Sequence, residues 1–250
     1  MDPIAYLFGL EQFGMKFGLE NIRTIVDALG RPDRAFRSIH IAGTNGKGSV
    51  TAMLDAVLRA AGHRAAMYTS PHLVDLTERF VIDGHPVERE KLVSVLGELR
   101  DLIGGLVAGG ALPAQPTFFE VATAAALELF RGAGVEVAVM EVGLGGRLDA
   151  TNVITPVMTA ITSIAFDHEK YLGYTLAAIA EEKAGIIKPK VPVVLGAMEP
   201  AATAAIERIA HERGAPVVPA WDGVSVERVS QPPGAPTRVR LRTPSEITGT

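Results

Sequence analysis

One segment, residues 38–51 (SIHIAGTNGKGSVT), constrains the fold of this chain more than any other part of the sequence. The β-favouring run Ile39-His40-Ile41 leads into a glycine-rich loop. Apolar residues then recur at helical spacing until Gly62, a residue typical of helix ends. The segment therefore predicts a strand, a glycine loop and a helix, in that order. At such a junction the first amides of the helix have no internal partners and point outward.

This loop has the chemistry of a phosphate-binding site. Glycines let the backbone close around an anion, and Lys47 adds a full positive charge. The common phosphate loop has four residues between its glycines and a lysine directly before Ser or Thr. Here only two residues separate the glycines, and a glycine follows the lysine. The alternative interpretation is a glycine-rich turn without a ligand. We predict that a nucleotide triphosphate is bound by Thr44, Asn45, Gly46, Lys47, Gly48 and Ser49.

Composition and charge exclude several classes of protein. A net charge of -4 gives no reason to expect a nucleic-acid partner. The absence of cysteine excludes disulfides and thiolate chemistry. The N-terminus lacks the early basic region of a signal peptide, and the longest apolar stretch, residues 102–112, is short and interrupted by glycines. We therefore expect a cytoplasmic protein that does not enter a membrane, and we separately predict a monomer.

Short apolar strands alternate with helices along most of the chain. This order predicts an α/β fold with a mostly parallel sheet flanked by helices. Residues 104–116 are expected to be a flexible connection. After Trp221 the sequence alternates apolar and polar residues around QPPGAP, which predicts a small antiparallel hairpin near the C-terminus.

Chemically unusual side chains follow the ends of four predicted strands. In open parallel sheets, ligands bind beyond the carboxyl ends of the strands, so these groups are expected to meet at one edge. They are Lys47 and Ser49 after the first strand, Ser70 after the second, Glu141 at the end of the third, and His168 after the fourth. Oxygen ligands beside phosphates suit Mg²⁺, whereas a histidine there is less usual.

Each of these residues also has a purely structural interpretation. Glu141 could accept hydrogen bonds from backbone amides at the strand end, and His168 could be a surface side chain oriented by Asp167. Ser70 alone is typical of a turn. Lys183, on a predicted helix, is most simply a surface lysine paired with nearby acids.

Five motifs together resemble the folylpolyglutamate synthase/dihydrofolate synthase family, a branch of the ATP-dependent amide ligases that includes the Mur ligases. They are GTNGKGS, YTSPHL, TFFEVAT, EVGLGGRLDATN and the DH…LG…EEKAGIIKP series, in the family's order. The resemblance covers nearly all of residues 5–200. It implies a P-loop NTPase-like fold of the Mur ligase central-domain type, with residues 1–250 forming the ATP-binding domain. The family's C-terminal, Rossmann-like glutamate-binding domain is expected to lie outside this chain.

The resemblance also implies roles for individual residues. The phosphate loop would hold ATP, with Lys47, His168 and Lys183 as catalytic residues, and Lys183 would match a lysine that family members carry carbamylated. The magnesium ligands would be Ser70, Glu141 and His168. The pterin and its surroundings would contact Ser70, Pro71, His72, Thr117, Phe118, Phe119, Glu120, Leu148, Asp149 and Ala150.

The implied reaction joins L-glutamate to dihydropteroate, to the γ-carboxylate of a folate, or to both, through an acyl phosphate and with ATP and Mg²⁺. One alternative is a Mur-type ligase acting on a UDP-sugar peptide, although SPHL and FFE favour the folate branch. A second alternative, from another class, is a non-catalytic nucleotide-binding module.

Overall fold

The computed structural model describes residues 2–14, 18–112, 114–229 and 238–242. The strands are β1 (Arg37–Ala42), β2 (Ala65–Tyr68), β3 (Phe80–Ile82), β4 (His85–Pro86), β5 (Val137–Glu141), β6 (Met158–Ile161), β7 (Val193–Leu195), β8 (Val217–Pro219), β9 (Ser225–Val229) and β10 (Arg238–Arg242). The α-helices are α1 (Pro3–Gly9), α2 (Glu20–Ala28), α3 (Lys47–Ala60), α4 (Arg89–Ala108), α5 (Phe118–Gly132), α6 (Glu169–Leu172), α7 (Leu176–Ala184) and α8 (Pro200–Glu212). Short 3₁₀ helices span Leu10–Phe13, Pro32–Arg34, Leu76–Arg79 and Ala150–Val153.

Strands β1 to β8 form one sheet in the order β4-β3-β2-β5-β1-β6-β7-β8. The neighbours from β2 to β8 are parallel, and β3 and β4 add an antiparallel edge. The predicted α/β class is therefore confirmed. Because β2, β5, β1 and β6 are adjacent and parallel, the loops that follow them emerge at the same edge of the sheet.

Helices bury both faces of this sheet. The larger apolar cluster packs under α1, α2, α4 and α5, and a second cluster joins α7 and α8 to β6 and β7. Helix α5 is buried along most of its length, with Ala122, Ala124, Ala125 and Ala126 fully inaccessible. A smaller cluster lies under α3. The loops at the sheet edge are thus held by a rigid framework.

The structure corrects two expectations about the helices. Residues 104–116 are not wholly a connection, because α4 continues through Gly104 and Gly105 to Ala108. Buried Leu99 and Ile103 and the packed Leu106 and Val107 keep this last turn against the core, which outweighs the low helix propensity of glycine. Helix α1 was not predicted; it begins at Pro3 after an Asp2 side-chain cap.

The expected hairpin is present as a separate two-stranded antiparallel sheet of β9 and β10. Its connecting QPPGAP segment lies outside the described residues. The antiparallel pairing confirms the predicted hairpin, and among the described residues β9 and β10 form a sheet separate from the eight-stranded one.

Candidate functional site

The glycine loop joins β1 to α3 as the sequence predicted. Gly46 precedes α3 in the left-handed conformation (φ 83°) and provides no side-chain cap, so the first amides of the helix are open to a ligand. Gly43 is also at positive φ, and a Cβ there would overlap the hydroxyl of Thr162. Lys47 is the first residue of α3, and its Nζ donates to the carbonyl of Thr44 at 3.2 Å.

Hydrogen bonds to the loop after β6 hold the glycine loop in place. The Thr44 amide donates to the Ser163 carbonyl (2.8 Å), and the Thr44 hydroxyl bonds both backbone groups of Ala165. The Asn45 amide donates to Ser163 Oγ at 3.1 Å. Two sheet-edge loops more than a hundred residues apart in sequence therefore form one unit.

Glu141 lies beside this unit, at the end of β5. Its side chain is buried, and Oε2 accepts a hydrogen bond from the Ser70 amide at 3.2 Å. A Cβ placed on Gly48 would lie 3.6 Å from Oε2, so the carboxylate faces the first turn of α3. Burial raises the pKa of Glu141, whereas the Ser70 amide and the Lys47 charge act in the opposite direction. The structure thus places Ser70 and Glu141 together, next to Gly48.

Lys183 is a buried part of the same site. It is only 3% exposed, and its Nζ donates to the carbonyl of Gly43 at 2.9 Å. Its pKa is lowered to about 8, mainly by burial and also by the charge of Lys47, while Asp167 and Asp149 oppose these effects. The interpretation of Lys183 as a surface lysine is therefore wrong.

The side chain of His168 is more exposed than those of Glu141 and Lys183. It has a left-handed backbone (φ 47°) and precedes α6. Its side chain is 53% exposed, with Nε2 3.5 Å from Asp167 Oδ1. Within the described ranges, no three His, Cys, Asp or Glu side chains form a group that could hold a metal ion. The role of His168 as a ligand stays a prediction.

A cavity of about 590 Å³ opens beside Ser70. Its wall contains nine of the ten residues expected around the pterin: Ser70, Pro71, Thr117, Phe118, Phe119, Glu120, Leu148, Asp149 and Ala150. The exception, His72, is not in the wall; its Nδ1 accepts a hydrogen bond from Arg79 Nε at 2.8 Å. His72 therefore orients Arg79, which does reach the cavity.

Sequence reasoning missed several wall residues. Arg79 is buried, and its guanidinium lies 5.1 Å from the centre of the Phe118 ring. Tyr171 and Leu172 come from α6, and Glu11, Gly14 and Gly18 from the N-terminal segment. Nothing in their local sequence marks them, whereas Gly143, Leu144, Gly145 and Gly146 lie within the motif EVGLGGRLDATN.

Two carboxylates of the wall are already occupied by hydrogen bonds within the protein. Asp149 accepts from the amides of Gly143, Leu144 and Thr151, each at 3.0 Å, and from the Thr151 hydroxyl. Glu120 and Thr117 form a reciprocal cap at the start of α5. Burial raises the pKa of Asp149, and the hydrogen bonds oppose that rise. Both residues shape the cavity wall.

A glycine loop between a parallel strand and a helix, with lysines and a buried carboxylate beside it, defines an α/β domain of the phosphate-loop class. Comparison with known families agrees, since residues 41–218 match the Mur ligase middle domain. No helix in the described part of the chain is long and apolar enough to cross a membrane.

Similarity to individual relatives indicates the branch of the Mur ligases to which the chain belongs. The chain is 38% identical over 216 residues to the dihydrofolate synthase/folylpolyglutamate synthase of Bacillus subtilis, covering 86% of this chain and 50% of the relative. It is 41% identical over 205 residues to the folylpolyglutamate synthase of Lacticaseibacillus casei, covering 82% and 48%. A solved FPGS-AMPPCP-folate complex superposes with a TM-score of 0.87 at 37% identity, covering 96% of this chain and 58% of that one.

The chain therefore belongs to the folylpolyglutamate synthase/dihydrofolate synthase family of the Mur ligase superfamily. It spans about half the length of the curated relatives that it matches.

Proposed function

We propose that residues 1–250 are the ATP-binding domain of a ligase that joins L-glutamate to dihydropteroate, to the γ-carboxylate of folates, or to both. The observation that carries this proposal is the junction at Ser70. This residue lines the 590 Å³ cavity and also bonds Glu141 beside the phosphate loop. An acceptor in the cavity and a nucleotide on the loop would meet there. Relatives named for these activities support the substrate class.

The ATP phosphates are assigned to the glycine loop and the start of α3. The uncapped amides of this helix and the positive end of its dipole favour an anion. Lys47 supplies a mobile charge, since its present hydrogen bond is only to a neighbouring carbonyl. The FPGS-AMPPCP-folate complex contains an ATP analogue, which supports this assignment.

The donor set beside the loop fits Mg²⁺. Glu141 provides a buried carboxylate, Ser70 a hydroxyl, and His168 an imidazole from the neighbouring loop. Hard oxygen ligands together with phosphates are what this ion prefers. Bound there, Mg²⁺ would neutralise charge on the transferred phosphoryl group.

The cavity is assigned to the pterin ring of the acceptor. Its volume lies within the usual range for small-molecule pockets. Phe118 and Phe119 offer aromatic surface, while Arg79 and the backbone around Asp149 offer polar groups. The wall is held by internal hydrogen bonds, so the site needs little rearrangement to accept a planar ligand.

The reaction proceeds in two steps. The acceptor carboxylate attacks the γ-phosphate of ATP, which forms an acyl phosphate and releases ADP. The amine of glutamate then attacks the acyl carbon, and phosphate leaves. Lys47 stabilises charge on the phosphates, and the loop and cavity position the two substrates. Further glutamate contacts are assigned to a second, C-terminal domain.

Lys183 is assigned a modification role in this site. Carbamate formation requires a neutral amine, which burial favours. The adduct would replace a cation beside Lys47 with an anion. This change would relieve the repulsion between the two lysines.

The test is ATP-dependent incorporation of labelled glutamate into dihydropteroate and into folate, measured with the purified protein. Glutamate-dependent product with either acceptor is the expected result, and Glu141→Gln should abolish it while Asp222→Asn leaves it unchanged. Incorporation into a UDP-muramyl acceptor instead would show a Mur-type ligase. ATP binding without any ligation would indicate a non-catalytic module.

A further inference from the structure

A second cavity, of about 430 Å³, shares the lining residue Leu148 with the first. It is bounded by the first turn of α2, the 147–152 loop, the segment after α7 and the end of α8. Its charged lining residues are Glu20, Arg23, Arg147, Lys188 and Arg213, and we call it the cationic pocket. Four cations therefore share this pocket with a single carboxylate.

Three of the four cations have no ion-pair partner within the part of the chain that the structure describes. Lys188 Nζ donates only to the backbone and side-chain oxygens of Asn152, at 3.0 and 2.8 Å. Arg213 donates through Nη1 to backbone carbonyls after α7, including that of Gly185 at 3.1 Å. Arg23 is exposed. Only Arg147 forms an ion pair with a described residue: its Nη2 lies 2.7 Å from Oε1 of Glu182, a residue that does not line this pocket.

The cations act on one another as well as on their surroundings. The pKa of Lys188 is lowered to about 8, mainly by burial and also by the nearby charges of Arg213 and Arg23. Such a cluster of like charges is unfavourable unless an anion compensates it. The pocket is therefore complementary to a negatively charged ligand.

A structural role accounts for only part of this arrangement. The hydrogen bonds of Lys188 and Arg213 satisfy carbonyls at the end of α7 and in the 150–153 turn, and these contacts stabilise the fold. They do not account for Arg23, which makes no such contact with the described residues and yet lines the same cavity. Among the described residues, the side-chain hydrogen bonds of Arg213 all come from Nη1, so its other N–H groups can donate to a further acceptor.

We propose that the cationic pocket binds a phosphate-class oxyanion. Guanidinium groups present paired donors that match phosphate oxygens, and a lysine adds a compact charge. The ligand is free phosphate or the phosphate group of a small organic molecule, since both offer the same oxygens. The proposal rests on the pocket alone and on no step of the proposed reaction.

To test this proposal, inorganic phosphate is titrated into the Lys47→Ala variant of this chain at constant ionic strength. The variant is used because the phosphate loop would otherwise compete for phosphate. Binding is measured by calorimetry, and the pKa of Lys188 is followed by NMR of its side chain. We expect saturable binding and a rise in the pKa of Lys188. Arg23→Gln should weaken binding about tenfold, as for one charge-assisted contact, whereas Arg34→Gln, an exposed control outside the pocket, should not.

Lys188→Gln, matched by the exposed Lys190→Gln, provides a second comparison. Weaker phosphate binding in Lys188→Gln alone supports the site. Titration with glycerol phosphate in place of phosphate distinguishes an organic ligand from the free ion, according to which binds more tightly. Absence of saturable binding, or equal binding by Arg23→Gln and Arg34→Gln, would overturn the proposal.

Discussion

The cavity wall and the phosphate loop meet at Ser70 but are built differently. In the wall, Asp149 and Glu120 are buried carboxylates whose oxygens accept several hydrogen bonds from nearby protein groups. At the loop, Lys47 has one long bond to a carbonyl, Glu141 accepts one amide, and His168 is half exposed. The wall is complete without a ligand, whereas the loop keeps donors and charges available for one.

This difference separates residues that maintain the shape of the site from residues that act on a ligand. Substitutions in the wall should change the stability of the fold first and binding second. Substitutions at the loop should change ligand binding with little effect on stability. Substitutions at four residues test whether fold stability and ligand binding depend on different residues in this way.

Asp149→Ala should give the largest effect, a loss of roughly 3–4 kcal/mol in the free energy of unfolding. The substitution leaves the amides of Gly143, Leu144 and Thr151 without their acceptor in a buried turn. Urea unfolding measures the change, and exposed Asp222→Ala serves as the control. A loss equal to that of the control would show that the wall is not held by this carboxylate.

Lys47→Ala should weaken Mg·ATP binding by about ten- to a hundredfold, equivalent to roughly 1.5–3 kcal/mol, with almost no change in stability. The side chain has no partner that the fold requires. Calorimetric titration with Mg·ATP checks this, compared with exposed Lys91→Ala on α4. Unchanged affinity would remove Lys47 from the nucleotide site.

Lys183 should form a carbamate, with release of a proton, and the initial rate of its formation should rise about fivefold between pH 7 and pH 8 at constant dissolved CO₂. With a pKa of about 8, the neutral amine is the minor form at pH 7 and reaches about half at pH 8. The carbamate carbon can be followed by ¹³C NMR in the presence of Mg·ATP. The signal should disappear in Lys183→Arg and persist in Lys190→Arg; its survival in Lys183→Arg would contradict the assignment.

His168→Asn should have the smallest effect on the fold, within about 0.5 kcal/mol. The side chain is exposed, and asparagine tolerates the left-handed backbone at this position. The same variant should weaken Mn²⁺ binding in the presence of nucleotide if His168 is a ligand, whereas His211→Asn should not. A large loss of unfolding free energy would instead give His168 a structural role.

Local sequence patterns predicted most of the framework. The strand, glycine loop and helix at residues 38–60, the parallel α/β class and the C-terminal hairpin all follow from short-range periodicity and turn residues, and all are present. The misplaced boundary at residues 104–108 shows the limit of this reasoning. There, packing of Leu106 and Val107 against the core overrides the propensity of two glycines.

The arrangement of the site depends on contacts that sequence spacing cannot supply. Lys183 reaches the carbonyl of Gly43 across 140 positions, and Arg79 enters the cavity because His72 and Phe118 position it. The residue types at the sheet edge could be predicted because the sequence pattern shows where each strand ends and which residues follow it. Their burial could not be predicted, because burial is a property of the packed chain. This burial lowers the pKa of Lys183 and raises the pKa of Glu141.

The order of elements, the phosphate-type loop and the chemical groups that follow each strand can be inferred from local sequence, because they depend on neighbouring residues. The fold was needed to show which of those groups touch, which carboxylates accept hydrogen bonds within the cavity wall, and that Arg23, Lys188 and Arg213 line one pocket. Those outcomes depend on which strands become neighbours and how closely helices pack on them. The distances between ionisable groups and the dielectric around them then set the protonation states of these groups. Both are fixed only when distant segments pack together.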